Sequence, residues 1–529
     1  MKQLLKLKHV YCCVLITLCL FLSTQAIAQL PSTPPSKILS QNQIESALLD
    51  LPKGERWIKH IKDDLMPFWE METALGGTER GNFPSYRDNK GQLIDWSKPM
   101  NQQPQEIQGG VYLKLIFPER EYLRTRSRQI LGYSIAYLLT GEEKYLDYAY
   151  AGINYNFIQK GHYYNEEDGT LTAYYDTKTK KYVAGTSQDW AYGLCGPAFY
   201  YYVTKDERVL PILIKSQKKV FDVFFDPSFG MFRWVTKPTD DGTPDQREIV
   251  SNLDQVYGYM LMVYRSLPPA EQEIWKKQIH DLAIILYKEF YGSREGFFWG
   301  QAGKSTSKFY GAEHTDFGHS TKTFWLLMQI GRLTGDVALE QIGREGAARL
   351  VDLAYDPNNE TWNQKLLPSE DESKLEIVHD REWWCLAIMD QTTATLSLHN
   401  PDYLRYISKT HKFWFNRMVD KEYGEMWHLL KPSKKEPDMG FPKSHSWKTC
   451  FHSTEHALVM YLLSQQLHGE KATLNFVRPE SNYKDTKQYY PYIFEGEVKP
   501  EDVVGDKEIS LPSSNEKRIK VKVSFGHIR

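Results

Sequence analysis

The sequence of 529 residues is poor in cysteine, and its few cysteines are badly placed for cross-links or structural metal sites. It contains six cysteines, three of which lie within the first 20 residues. The remaining three, Cys195, Cys385 and Cys450, are far apart, so they form neither a disulfide framework nor a zinc motif. Because free cysteine is among the most buried residue types, we expect three buried, inert thiols.

A large excess of charge is also absent. The chain has 65 lysines and arginines against 67 aspartates and glutamates, which gives a formal net charge of −2. Such a balance does not attract nucleic acid or an anionic membrane surface. After its first residues, the sequence also lacks any apolar run of the roughly 18 residues that a membrane-spanning helix needs. We therefore expect neither a nucleic-acid partner nor a membrane span in the mature chain.

The N-terminus has the three parts of a cleavable signal peptide. Lysines at positions 2, 6 and 8 precede an apolar run from Val10 to Leu22, and Ala26-Ile27-Ala28 follows. A basic start, a short apolar stretch and a small-x-small site are the pattern of an exported chain. We predict a signal peptide over residues 1–28, cleavage after Ala28, and a periplasmic or secreted protein. Residues 29–48, which begin with a proline-rich stretch, are expected to form a flexible leader.

Aromatic residues are abundant, and some of them recur at a regular interval. Phe, Trp and Tyr make up 14% of the chain, and their planar faces can stack on sugar rings. A turn followed by aromatic residues recurs at steps of 61, 66, 63 and 65 residues, with anchors at Gly169, Gly230, Gly296, Asn359 and Gly424. This regularity indicates an internal repeat.

Two amphipathic helical patterns lie between successive anchors. Residues 319–333 and 338–353, for example, both have apolar residues at i, i+3, i+4 and i+7 spacing. A helix pair cannot bury its apolar face alone, so the pairs have to pack on one another in a single domain. We predict an all-α fold in which six pairs close into an (α/α)6 barrel over residues 49–470.

The periodicity stops after about residue 471. Residues 490–498 and 518–525 alternate between apolar and polar residues, as strands do. We predict a small β-rich extension over residues 471–529 that packs on the barrel.

Four short segments resemble motifs of a known enzyme family. They are Arg128–Leu131 (RQIL), Gly318–Leu327 (GHSTKTFWLL), Arg381–Trp384 (REWW) and Trp447–His452 (WKTCFH). In this order they are similar to segments of the N-acylglucosamine 2-epimerases and cellobiose 2-epimerases. The resemblance extends over residues 110–466.

The resemblance implies an (α/α)6 barrel and proton transfer at C2 of a reducing sugar. His319 and His452 match the two catalytic histidines, which remove and return a proton through a cis-enediolate. Arg128, Trp383 and Trp384 match substrate-binding positions, and at least one tryptophan is expected to face the pocket. Imidazole titrates near neutrality, so two histidines can exchange the roles of acid and base across one substrate. This chemistry needs neither a metal ion nor another cofactor, and we predict none.

Two charges beside the histidines depart from the family's pattern. The family's glutamate three residues after the first histidine is Lys322 here, and its arginine three residues after the second is Glu455. Residues i and i+3 share a helix face, so both charges are expected beside their histidines. Either Lys322 and Glu455 form an ion pair with exchanged charges, or Lys322 binds an acidic sugar while Glu455 orients His452. Lys322 and Glu455 are both candidate substrate-binding residues.

Two further family features are missing. Ile388 stands where the family has a glutamate, and residues 252–257 replace a histidine-rich segment. In that segment Asp254 could supply hydrogen bonds to the substrate instead. These departures favour a divergent activity over that of a standard N-acylglucosamine epimerase.

The expected partner is a mono- or oligosaccharide, and three kinds of function remain open: isomerisation, bond cleavage by a hydrolase or lyase, and binding alone. The main hypothesis is a sugar 2-epimerase or aldose–ketose isomerase. A glycoside hydrolase needs two facing carboxylates, for which the candidates are Asp189, Asp254, Asp316, Asp390 and Glu455. A polysaccharide lyase needs a base and a cation near a uronate, for which the candidates are His452, Lys322 and Arg128. The third alternative is a sugar-binding barrel without catalysis, and a homodimer is also open.

Overall fold

The computed structural model describes residues 38–529 apart from 160–162, 237–246, 294, 303–312, 369–374, 432–435 and 512–515. The predicted signal peptide and residues 29–37 of the predicted leader lie outside the described residues. The described helices form two concentric rings, so the predicted (α/α)6 barrel is confirmed.

The inner ring of the described structure consists of six helices that are buried along nearly their whole length. They are Leu123–Thr140, Ser187–Thr204, Ile249–Gln255 with its continuation to Val263, Phe317–Thr334, Trp383–Ser397 and Phe451–Leu467. Apolar residues occur on all sides of these helices, as expected of helices surrounded by protein.

The outer ring alternates with the inner ring along the chain and buries only one side of each helix. Its helices are Gly54–Lys59 with its continuation to Trp69, Glu143–Ile153, Leu210–Phe224, Pro269–Ile285, Val337–Ala354 and Leu404–Phe413. Several helices contain or continue into π-helical segments, namely His60–Leu65, Asn154–Ile158, Val256–Met260, Leu286–Phe290 and Trp414–Met418. The ring closes where the Phe451–Leu467 helix packs on Gly54–Lys59 and Leu123–Thr140.

The repeated turns connect outer helices to inner ones. Three of them are hairpins of two-residue strands: Phe225–Asp226 with Met231–Phe232, Tyr291–Gly292 with Phe297–Phe298, and Tyr355–Asp356 with Thr361–Trp362. Two others are single bridges, Tyr164 with Leu171 and Val419 with Met426.

A left-handed residue ends each turn, and at one turn it is not the residue that we predicted. Gly169, Gly230, Gly296 and Gly424 have φ between 66° and 79°, a conformation that glycine adopts at little cost. In the fourth turn the left-handed residue is Glu360 (φ 50°). Asn359 is therefore one residue too early as an anchor.

Further short strands line the loops of the barrel. Arg120–Tyr122, Tyr174–Asp176 and Lys181–Val183 form one antiparallel sheet, and Lys365–Pro368 pairs with Leu375–Val378. Arg381–Glu382 pairs with Leu429–Leu430 immediately before an inner helix begins. The helix Gln105–Tyr112 lies in the long connection that precedes these strands.

The leader prediction is wrong for its last residues. A helix spans Gln41–Asp50 and packs on the outer helix Leu404–Phe413. A capping box explains its start, because Ser40 and Gln43 each bond the other's backbone N–H. The helix therefore begins well before residue 48.

The C-terminal extension contains a three-stranded antiparallel sheet. Its strands are Ala472–Pro479, Val503–Ile509 and Arg518–Phe525, with the last in the middle. The strand predicted over residues 490–498 is wrong, because this segment is irregular and sends tyrosines into the barrel. Tyr202 Oη, for example, donates to the carbonyl of Tyr490.

The three cysteines that follow the predicted signal peptide, Cys195, Cys385 and Cys450, are buried and unpaired thiols, as expected from the sequence. Among the described residues, no helix is long and apolar enough to cross a membrane.

Candidate functional site

A cavity of about 470 Å³ opens where the N-terminal turns of the inner helices converge. Five of these helices contribute side chains from their first two turns: Arg128, Gln188 and Tyr192, His319 and Lys322, Trp383 and Trp384, and His452. Loops add the rest of the wall, including Trp234, Glu313, His314, Glu382, His428, Phe441, His445 and Trp447. Helix N-termini carry partial positive charge, so the cavity favours an anion or a developing negative charge.

The structure places His319 in this wall and orients it through a carboxylate. Asp316 caps the Phe317–Thr334 helix by accepting the backbone N–H of His319 at 2.7 Å. Its other oxygen lies 2.7 Å from His319 Nδ1. Burial lowers the pKa of His319 below its usual value, so the ring is neutral near pH 7. With its proton on Nδ1, the ring keeps the Nε2 lone pair available.

His452 is oriented in a similar way, through a tyrosine. Its Nδ1 lies 3.3 Å from Tyr257 Oη, which donates its own proton to Glu455. Nδ1 therefore donates to the tyrosine oxygen, and the Nε2 lone pair is again available. Burial, with the charges of Arg128 and Lys322, lowers the pKa of His452 well below its usual value.

At least one of Trp383 and Trp384 was expected to face the pocket, and both of them line the cavity. Trp384 is close to both histidines, with ring centroids 4.6 Å from His319 and 6.1 Å from His452. Trp383 packs on His428 at 4.7 Å, and its indole N–H is buried without a hydrogen-bond partner. An unpaired buried donor at a cavity wall is a candidate contact for a ligand oxygen.

Lys322 lines the cavity, but its partner is not Glu455. Lys322 Nζ lies 3.0 Å from Asp254 Oδ1, and Gln188 Nε2 donates to the other oxygen at 2.6 Å. Burial would raise the pKa of Asp254, but the charge of Lys322 and the Gln188 hydrogen bond hold it below its usual value. The predicted Lys322–Glu455 ion pair is therefore wrong, because a carboxylate on the neighbouring inner helix stands closer.

Asp254 and Glu455 lie one layer behind the wall and do not reach the cavity. Asp254 is fully buried under Lys322. Glu455 is 1% exposed and accepts hydrogen bonds from Tyr257 and from Tyr492, the latter at 2.7 Å. They were predicted to bind substrate, but they are placed to support Lys322 and His452 instead. For Glu455, the tyrosines between it and the cavity explain the difference.

Arg128 lies in the wall, as predicted. Its Nη1 donates to the carbonyl of Trp447 at 2.6 Å, and its guanidinium lies 3.7 Å from the Tyr192 ring centre. Its Nε has no hydrogen-bond partner. In contrast, the neighbouring Arg124 is paired with Asp189. Arg128 is thus the arginine of this turn that is placed for a ligand.

The other carboxylates that could serve a hydrolase form ion pairs or hydrogen bonds with groups outside the cavity wall. Asp189 pairs with Arg124, and Asp390 accepts from Trp362 and Thr410 and lies 3.2 Å from His456. None of the five predicted candidates lines the cavity as described. Among the described residues, no cluster of three or more His, Cys, Asp or Glu could hold a metal ion.

Most of the other wall residues were not predicted as parts of a site, among them Glu382, His314, His428 and His445. Glu382 stands inside the REWW segment, directly before the two tryptophans, and this position was the available signal. His428 lies in a loop, and nothing in its local sequence marks it; it comes beside Glu382 because Glu382 pairs with Leu429 across a two-stranded ladder. His445 stands seven residues before His452 in the sequence, and this proximity was the available signal.

Comparisons with known proteins find similarity in structure but not in sequence. No protein-family profile matches the chain, and no curated protein matches it. The cellobiose 2-epimerase from Bacillus thermoamylovorans B4167 is 15% identical, with a TM-score of 0.61 over 78% of this chain and 99% of that chain. The cellobiose 2-epimerase from Spirochaeta thermophila DSM 6192 is 16% identical, with a TM-score of 0.62 over 81% and 99%.

A solved D-mannose isomerase is also similar. It is 14% identical, with a TM-score of 0.57 over 80% of this chain and 97% of that chain. At such identities the likeness concerns the fold. Together with the two rings of helices, it shows that this chain has the (α/α)6 barrel fold of the cellobiose 2-epimerase structures.

Proposed function

We propose that the protein is a sugar 2-epimerase or aldose–ketose isomerase, with His319 and His452 as its acid–base groups. The observation that carries this proposal is a pair of neutral imidazoles that line one cavity and both pack near Trp384. Each has its Nδ1–H held by a carboxylate, directly or through a tyrosine, and each keeps an Nε2 lone pair. The similarity in fold to two cellobiose 2-epimerases and a mannose isomerase supports the same reading.

The first step would be removal of the C2 proton by one imidazole. The C2–H electron pair forms the C1=C2 bond, and the carbonyl electrons move to O1. The helix N-termini, Arg128 and Lys322 stabilise the charge that develops on this oxygen. Return of the proton to C1 gives the ketose. Delivery to the opposite face of C2, by the other histidine after it has taken up a proton from solvent on Nε2, gives the epimer, and the first histidine releases its proton to solvent.

A cleavage reaction is less well supported by the cavity. A hydrolase needs two carboxylates facing the scissile bond, and the five predicted candidates are engaged outside the described wall. The carboxylates that do line the cavity are Glu382 and Glu313, whose side chain is 84% exposed. A lyase remains compatible with His452, Lys322 and Arg128, and its products would be unsaturated. We treat both, and a binding barrel without catalysis, as outcomes of the experiment below.

The test is deuterium incorporation at C2 during incubation in deuterated water. Candidate aldoses and oligosaccharides, such as cellobiose and mannose, are followed by NMR for exchange at C2 without loss of chain length. We expect His319→Asn and His452→Asn each to lower the exchange rate at least about 100-fold, which is typical for loss of an acid–base group.

A matched control is His527→Asn. His527 is 79% exposed and has φ 49°, a left-handed conformation that asparagine tolerates, so exchange should be unchanged. Shortened products, unsaturated products or sugar binding without exchange would contradict the proposal in favour of a hydrolase, a lyase or a binding protein.

We also propose that the protein is exported, because of the basic, apolar and small-residue parts of residues 1–28. Expression of the full chain in a Gram-negative host, followed by fractionation, should place it outside the cytoplasm. N-terminal sequencing should start at Gln29. A cytoplasmic chain that retains residue 1 would contradict this.

A further inference from the structure

A carboxyl group that the proposed histidine pair does not use lies in the cavity wall. Glu382 precedes the Trp383–Ser397 helix, and its side chain is 19% exposed. Gln364 Nε2 donates to its Oε2 at 2.8 Å, and Trp384 forms a side-chain hydrogen bond with it. Glu382 is thus held beside the tryptophan that contacts both His319 and His452.

Two histidines form a hydrogen-bonded chain that ends beside this carboxyl group. The backbone N–H of Trp447 donates to His445 Nδ1 at 3.2 Å. His445 must then carry its proton on Nε2, which donates to His428 Nδ1 at 3.0 Å. His428 in turn carries its proton on Nε2, 3.6 Å from Glu382 Oε1. One backbone donor therefore fixes the tautomers of both rings.

The hydrogen-bonded pair of His428 and His445 is closely packed and uncharged. Phe441 stacks on His428 with centroids 4.4 Å apart and planes 15° apart, and Trp383 packs on it at 4.7 Å. His445 is fully buried. Burial, together with the charge of Lys448, lowers the pKa of both histidines well below the usual value. The direction of the hydrogen bonds therefore persists at neutral pH.

The surroundings of Glu382 keep a proton on it near pH 7. Among the described residues, the titratable and charged groups around it are Asp316, Lys365, Cys385 and His428. Burial raises the pKa of Glu382 to about 7, and the negative charge of Asp316 adds to this. The hydrogen bonds from Gln364 and Trp384 and the charge of Lys365 lower the pKa by less than burial raises it, and the neutral His428 supplies no positive charge.

We propose that Glu382 is a third acid–base group of this cavity, and that His428 and His445 are positioning residues that hold its carboxyl group for proton transfer to a sugar oxygen. The inference rests on the proposed function for the identity of the reaction. As His319 takes the C2 proton, the carbonyl electrons move to O1 and the Glu382 proton moves to O1. The products are an enediol, an imidazolium and the Glu382 carboxylate, so protons and charge balance. Delivery of the His319 proton to C1, while the O2 hydroxyl proton moves to the Glu382 carboxylate, then gives the ketose and restores both groups.

Protonation of Glu382 is tested without any substrate by infrared difference spectroscopy between pH 5 and 9. The wild type should show a carboxylic-acid C=O band that disappears near pH 7, and Glu382→Gln should lack it. Glu345→Gln, which changes an exposed carboxylate on an outer helix, should retain it. Absence of the band from the wild type at pH 6, or its survival in Glu382→Gln, would overturn the proposal.

The positioning role of His428 is tested by His428→Phe, which keeps a ring between Phe441 and Trp383 but removes the N–H. Loss of a donor beside the carboxylate should raise the midpoint of the Glu382 band by about one pH unit. A midpoint equal to that of the wild type would overturn the positioning role, because a packing role alone does not move it.

The catalytic role is tested by sugar binding and C2 exchange in Glu382→Gln. Binding should stay within about twofold, while exchange should fall about 100-fold, since the amide can donate a hydrogen bond but not transfer a proton. Exchange at the wild-type rate would overturn this role. If the wild type exchanges no sugar, the proposed function fails, whereas the infrared band still decides the protonation of Glu382.

Discussion

At the scale of single residues, burial and partner choice decide which groups in the cavity carry charge. Both imidazoles lose their charge to burial, as the lowered pKa values of His319 and His452 show. Lys322 keeps a buried carboxylate, Asp254, as its partner. The wall thus combines neutral imidazoles with two cations, Arg128 and Lys322, of which Lys322 is compensated by Asp254; this combination is suited to proton abstraction next to a carbonyl.

Replacing Lys322 by methionine tests the Lys322–Asp254 pair. The change leaves Asp254 buried without its cation, and the free energy of unfolding should fall by about 3–5 kcal/mol at pH 7. Asp254→Asn combined with Lys322→Met should recover much of this loss, whereas Glu455→Gln combined with Lys322→Met should not. Urea denaturation measures all three. Equal recovery in both double variants would restore the Lys322–Glu455 hypothesis.

The same pair predicts a pH dependence of stability. The pKa of Asp254 is lowered in the folded chain, so its stabilising contribution is fully present above the pKa of an unfolded aspartate, about 3.9. It is lost as the pH falls through the lowered folded value. In Lys322→Met, burial without the cation raises the pKa of Asp254, so the stability difference between wild type and this variant should shrink as the pH falls from 8 into acid.

At the scale of elements, the repeated turn sets where each inner helix begins. Each turn reverses the chain between an outer and an inner helix, and four of the five end on a glycine with positive φ. Because the inner helices start just after these turns, their first turns meet at one end of the barrel. Side chains far apart in sequence, such as Arg128 and His452, come together for this reason.

A reciprocal pair of substitutions tests the left-handed position of the turns. A Cβ at Gly230 would meet nothing within 4 Å, so Gly230→Ala should cost about 1–2 kcal/mol through backbone strain alone. Glu360→Gly should instead raise stability by a few tenths to about 1 kcal/mol, because its ion pair with Lys409 is exposed and weak. Thermal unfolding measures both, and a loss of stability in Glu360→Gly would contradict the assignment.

The sequence was sufficient to predict the barrel, and it was less informative about the contacts inside it. Helical periodicity and the regular turns depend on local patterns, so they are visible in one chain. The partner of Lys322 depends on the rotation of two neighbouring helices, and sequence spacing alone favoured Glu455 over Asp254. Likewise His428 is a loop residue that comes to lie beside Glu382 only through the pairing of Glu382 with Leu429.

At the scale of the whole molecule, the C-terminal extension is connected to the site by a hydrogen bond. Tyr492 lies in the irregular segment between two strands of the extension, and its hydroxyl donates to Glu455 inside the barrel. Glu455 accepts the proton of Tyr257, which orients His452. The extension thus completes the layer behind a proposed catalytic histidine.

Removal of the Tyr492 hydroxyl tests this connection. Tyr492→Phe should cost about 1–3 kcal/mol of stability, since it leaves a buried carboxylate oxygen without its donor. It should also change the pH profile of C2 exchange, because the Glu455–Tyr257–His452 chain is altered. The control is Tyr489→Phe, whose hydroxyl donates to Tyr483 within the extension; it should lower stability without changing the profile. Identical profiles in both variants would contradict the connection.

The closure of the ring has a consequence for how the protein is made. The helix Phe451–Leu467 packs between the first outer and the first inner helix, and it carries His452. During vectorial synthesis the early helices must therefore wait, with their apolar faces uncovered, until nearly the whole chain has left the ribosome. A chain halted before residue 451 has neither a closed core nor His452, the second histidine of the proposed pair. The appearance of C2 exchange would therefore report the final assembly of the barrel.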